Sequence, residues 1–110
     1  MEPIPDIERS ILQRNLAAIR AIFGWRQEDL LKILGVSRGT MSKIESFNYD
    51  LTNIEYYALM WVIQTEMDHL SDIGEEREEK KIGLVTKMLR YNIKHIYPEY
   101  SIDFEDDSRN

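Results

Sequence analysis

Arg38 and Lys43 lie on one short stretch with three hydroxyls, Ser37, Thr40 and Ser42. A guanidinium and an ammonium can both donate to guanine O6 and N7, and the forked guanidinium of Arg38 is the better suited to a bidentate contact. The hydroxyls serve phosphate oxygens or bases interchangeably. Covalent and metal chemistry find no comparable set. The chain has no cysteine, and His69 and His95 lack acidic or thiolate company at ligand spacing, so no metal and no cofactor is expected. No nucleophile with a base, no phosphate-cradling glycine loop and no paired carboxylates emerge, so the chain is not expected to be an enzyme.

Side chains of this kind read a surface only when a scaffold holds them outward. From Gln27 to Glu45 the sequence describes two short helices meeting at Gly35, the first about Arg26 to Leu34 and the second capped by Ser37 and running to about Ser46. Leu30, Leu34, Val36, Met41 and Ile44 are spaced to bury against a preceding helix. Arg38, Ser42 and Lys43, with Ser37 and Thr40, are left on the wet face. A short helix armed in this way fits a major groove.

Helical periodicity continues along the chain, which reads as all-α. A first helix is expected from Ser10, where Ser10 and Gln13 have capping-box spacing, with Leu12, Leu16, Ile19 and Phe23 on one face and Gly24 as its stop. Thr52 and Glu55 repeat that spacing and open a fourth helix with no Gly or Pro before Gly74. It carries two apolar stripes, Ile54, Ala58, Trp61, Thr65 and Tyr56, Met60, Ile63, Met67, Leu70, so cover on two sides is expected. A single last helix, starting at Glu75 and stopping before Pro98, presents Ile82, Val85, Leu89 and Ile96, with Asn92 also inward. The organisation is a leader over 1–9, a DNA-binding unit over 10–73, a C-terminal helix over 74–98 and a solvated acidic tail over 99–110. The aromatic residues fall at helical spacing and read as core or interface before they read as a base-stacking platform.

The net charge of −6 opposes duplex binding on average, but charge is segregated. Residues 11–46 hold six basic side chains (Arg14, Arg20, Arg26, Lys32, Arg38, Lys43) against Glu28, Asp29 and Glu45, a local net of +3 that leaves −9 for the rest. Lys80, Lys81, Lys87, Arg90 and Lys94 form a second positive run without an acid. Its stripe Lys80, Lys87, Lys94 either grazes phosphates or forms a solubilising helix back. No segment is apolar enough for a membrane span, and the absence of cysteine fits a reducing cytoplasm.

Over about residues 12–65 the sequence resembles the Cro/C1-type helix-turn-helix of the xenobiotic-response-element (XRE) class. The likeness lies in Leu16, Ile19 and Arg20, in Gln27, in Gly35-Val36-Ser37-Arg38 and in Ile44-Glu45. It implies a five-helix, phage-repressor-like domain binding double-stranded operator DNA as a homodimer, and the apolar surface of Ile82, Val85 and Leu89 with the fourth helix marks the C-terminal helix as the expected dimerisation helix. It also implies that Gln27 holds a phosphate, that residues 37–43 face base edges, and that Arg20 and Glu45 form an ion pair between the first and third helices. Read alone, those two could be unrelated surface charges. Arg26 stands where a Ser or Thr cap is usual, giving up the cap and adding a cation near the DNA backbone. Leu31 replaces the usual Ala, and Gly39 removes a side chain from a usual base-reading position at a cost in helix propensity. The expected function is a sequence-specific transcriptional regulator, a repressor. The competing reading is a protein-interaction module on the same scaffold, such as an antitoxin, anti-repressor or inhibitor, that engages a partner through its acidic C-terminal half.

Overall fold

The computed structural model describes residues 5–96, with the side chains of His95 and Ile96 outside the description. Those residues form six helices and no strand: α1 (Asp6–Phe23), α2 (Gln27–Leu34), α3 (Arg38–Glu45), α4 (Asn53–Ile73), α5 (Glu76–Met88) and α6 (Arg90–Ile96). The all-α expectation holds. The tail over 99–110 lies outside the described residues.

The stripe expected on α1 is its buried face, with Leu12, Leu16 and Ile19 fully enclosed and Phe23 nearly so. Its start differs from expectation. Pro5 presets the entry backbone and Asp6 and Glu8 complement the positive helix end, so the helix begins at Asp6 and takes in the end of the expected leader. Ser10 is therefore in the helix interior, and Gln13 is free for another task.

On α4 the Thr52–Glu55 box closes in both directions, with Glu55 N–H donating to Thr52 Oγ1 at 3.1 Å and Thr52 N–H to Glu55 Oε1 at 2.9 Å. The helix then runs unbroken to Ile73. Tyr56, Met60, Ile63, Met67 and Leu70 line the core, whereas Ile54 and Trp61 on the second stripe are 71% and 66% exposed. Among the described residues only the first of these stripes is fully covered.

The expected single last helix is two. Leu89, at φ −110° and ψ 20°, leaves the helical region with its side chain fully buried, and α6 departs from there. Asn92 of α6 reaches two other helices: its Nδ2 donates to the Glu8 carbonyl at 2.8 Å and to the Tyr56 hydroxyl at 2.7 Å. Val85, Leu89 and Ile93 join the same core as Leu12 and Leu16. Of the last helix's expected inward face, Val85, Leu89 and Asn92 are thus buried within the chain, because α5 lies against both α1 and α4. No helix among the described residues is long and apolar enough to cross a membrane.

Candidate nucleic-acid interface

Three residues, Gly35 to Ser37, join α2 to α3. Gly35 sits at φ 67° and its N–H closes on the Leu31 carbonyl at 2.8 Å, a left-handed C-terminal turn that a β-carbon would strain. Ser37 then caps α3, its Oγ accepting from the Thr40 N–H at 3.1 Å. Met41 and Ile44 are fully buried, as is Leu30 on α2, while Leu34 and Val36 are half-buried. With that side locked, Arg38, Gly39, Ser42 and Lys43 are exposed on the other.

Two polar residues of α1, seven apart and flanking its buried stripe, hold α3 in place. Gln13 is nearly enclosed and donates through Nε2 to the carbonyls of Ile44 at 2.8 Å and Tyr49 at 2.7 Å, pinning the end of α3 and the turn after it. Arg20 makes a two-pronged ion pair with Glu45, Nε to Oε2 at 2.6 Å and a terminal nitrogen to Oε1 at 3.0 Å, and also donates to the Trp25 carbonyl. Glu45 holds the Arg20 pKa above its ordinary value, chiefly by hydrogen bonding, against the opposing effect of desolvation. Gln27 completes the set, with Nε2 donating to Glu45 Oε1 at 2.8 Å. Three helices meet at one carboxylate.

The residues expected at a duplex are distributed unevenly in this frame. Arg38 projects outward but rests against Glu28, 2.7 Å away across the α2–α3 turn, with both side chains largely exposed. Lys43 and Ser42 are exposed and Thr40 is half-buried. The Ser37 hydroxyl is used twice, accepting in the cap and donating to Thr40 Oγ1 at 3.0 Å, so the outward donor of that pair is Thr40. Gln27 keeps a second amide N–H beyond the one given to Glu45. Arg26 is exposed at the start of α2. The cap that its side chain cannot supply is replaced in part by Asp29, whose Oδ2 accepts from the Arg26 N–H at 2.9 Å.

Gly39 has no structural need to be glycine. A β-carbon there meets nothing nearer than Ser37 Oγ at 3.9 Å. Gly39→Ala is therefore expected to stabilise the fold by about 1 kcal/mol through helix propensity, read as a higher midpoint in urea; a lower midpoint would show that the position is constrained.

Two features escaped the sequence reading. Glu28 lies ten residues from Arg38, a separation that no helical period marks. Phe47 holds a left-handed φ of 66° where Gly is usual: its N–H reaches the Ile44 carbonyl and that of Asn48 the Lys43 carbonyl, closing α3. The Arg14 guanidinium lies 6.0 Å from its ring centroid, which sets a further cation beside the end of α3. Beyond this turn the Tyr49 hydroxyl bonds Glu55 at 3.0 and 3.2 Å, which raises the Tyr49 pKa. A raised value in the folded state means the stabilisation is present below the unfolded tyrosine pKa and is lost as pH rises through the folded one. Tyr49→Phe is expected to flatten that alkaline decline in a pH series of thermal midpoints; an unchanged decline would remove the Tyr49–Glu55 bond as its cause.

Among the described residues no group of His, Asp or Glu is disposed to hold a metal ion. Comparison with protein-family models, with curated proteins and with solved structures finds no match for this chain.

Proposed function

We propose that this chain is a sequence-specific double-stranded DNA-binding regulator, with α2 and α3 as a helix-turn-helix of the phage-repressor type and α3 as its recognition helix. One observation carries the reading: Arg38 and Lys43 project from a short capped helix whose opposite side is fixed in the core, so two cations stand outward at little conformational cost. The Arg20–Glu45–Gln27 cluster supports it, since it fixes the angle at which α3 leaves the body. Arg38 and Lys43 read base edges; Thr40, Ser42, Gln27 and Arg26 serve phosphates. A cytoplasmic repressor acting as a homodimer fits these features, with the exposed α4 stripe around Ile54 and Trp61 as the surface for the second copy, because the α5 face is already buried.

The test is enrichment of bound duplexes from a random pool by the full chain. A regulator of this kind yields a palindrome with half-sites about one helical turn apart and an affinity that falls steeply with salt. Recovery of no shared sequence at low salt would sink the reading.

Glu28 makes a sharper expectation. Its carboxylate occupies Arg38 and sits with Asp29 in the first turn of α2, close to where phosphates would lie. Glu28→Gln is expected to tighten DNA binding severalfold and to steepen the salt dependence by about one unit of slope. Equal or weaker binding by the variant would mean that the pair positions Arg38 productively.

A second reading, a protein-interaction module, is favoured by the same exposed Trp61 and Ile54. It predicts a co-purifying protein whose capture survives loss of Arg38 and Lys43.

A further inference from the structure

α1, α2 and α4 each end on a left-handed glycine, Gly24 at φ 74°, Gly35 at 67° and Gly74 at 71°. α3 ends on the same kind of turn with Phe47 at φ 66°, and among the described residues Phe47 is the one non-glycine with a positive φ. Both bonds of the full turn are made: the Phe47 N–H donates to the Ile44 carbonyl at 3.3 Å and the Asn48 N–H to the Lys43 carbonyl at 2.8 Å. A β-carbon is crowded against the backbone in this region, and a bulky side chain is rare there. Glycine would close the turn without that strain.

The ring lies outside the buried core and is 47% exposed, so burial does little to offset the cost. Strain kept where packing does not require it is characteristic of binding sites. The charges set beside Phe47 are cations: the Arg14 guanidinium lies 6.0 Å from the ring centroid, and Lys43 supplies the carbonyl that closes the turn. A second copy seated here would bring like charges together, whereas a duplex brings phosphates. The exposed side chains of α3 itself, Arg38, Ser42 and Lys43, are all polar. They can meet the donors and acceptors of base edges, but the thymine methyl, the apolar feature of the major groove, calls for an apolar group.

We infer that Phe47 is a specificity-determining residue whose ring packs on the C5-methyl of one thymine in each half-site, while Arg14 holds an adjoining phosphate. Four residues past Lys43 is roughly 6 Å of helical advance, so the thymine lies about two base pairs beyond the Lys43 contact at about 3.4 Å per pair. The inference rests on the reading of α3 as a recognition helix and extends it to a residue just outside that helix.

The test takes the full chain and the palindrome selected from the random pool, with thymines replaced one at a time by deoxyuridine, which lacks only the methyl group. One position per half-site is expected to weaken binding about fourfold, the effect of returning one methyl to water. Phe47→Gly is expected to bind the thymine duplex more weakly, to be indifferent to deoxyuridine at that position, and to keep or raise its urea midpoint because the turn is relieved. Phe47→Asn, which also tolerates a left-handed turn, should behave alike without the added freedom of glycine. No sensitive thymine, or a deoxyuridine penalty that persists in both variants, would overturn the inference. So would a lower urea midpoint in both, since the ring would then be structural. A pool without a shared sequence removes the recognition-helix reading itself; a palindrome bound equally well by both variants removes only the role of Phe47.

Discussion

Arg38→Ala with Lys43→Ala is expected to lower affinity for the selected duplex by about 30-fold to 10⁴-fold, from two contacts worth about 1 to 3 kcal/mol each, while the thermal midpoint stays within a degree or two. The separation of the two effects follows from geometry. Arg38 and its partner Glu28 are both largely exposed, and such a surface pair is worth about 0 to 1 kcal/mol. Lys43 is exposed, and the groups that fix α3, Met41, Ile44, Glu45 and the Ser37 cap, are untouched. Titration of the double variant against the palindrome and a scrambled duplex distinguishes the roles. If the two side chains read bases, the preference for the palindrome collapses and weak binding to both remains. If they hold only phosphate, both affinities fall together and the salt slope drops by about two. Unchanged retardation would end the assignment of α3 as a recognition helix.

The parts legible in the sequence are those set by neighbours along the chain. The turn at Gly35, the cap at Ser37 and the box at Thr52 and Glu55 each involve residues within a few positions, and the structure has them where the spacing puts them. The misread start of α1 has the same origin: Ser10 and Gln13 mimic a cap, yet Gln13 is recruited 31 residues away by the Ile44 carbonyl. A better signal was present, because Gln13 and Arg20 lie seven apart beside the buried stripe and both reach α3. The α5 face shows a different limit. An apolar stripe reports that a surface must be covered without saying by what, and α1 with the 21-residue α4 offers a shelf on which Val85 and Leu89 are buried at no cost in association. Among the described residues, Ile54 and Trp61, half of the second α4 stripe, stay exposed.

Arg20→Met is the other change with a large expected effect, and it asks whether the clamp on α3 stabilises the fold or aims the helix. Glu45 is only 11% exposed as a side chain, and losing Arg20 leaves its carboxylate with the single Gln27 N–H. Removing one partner of a largely desolvated pair is expected to cost about 2 to 3 kcal/mol, visible as a lower urea midpoint at constant slope. Pairing Arg20→Met with Glu45→Leu removes the stranded charge and should recover most of that loss, since an apolar pair of similar volume commonly matches a buried ion pair. DNA affinity should not recover. In the double variant Gln27 has lost its acceptor and α3 is held by apolar contacts that tolerate small rotations, so the cations no longer meet the groove at one fixed angle. Stability restored with affinity still reduced would identify Arg20, Glu45 and Gln27 as positioning residues. Recovery of both together would reduce the cluster to a stabilising pair and leave the aim of α3 to Gln13 and the buried face of Met41 and Ile44.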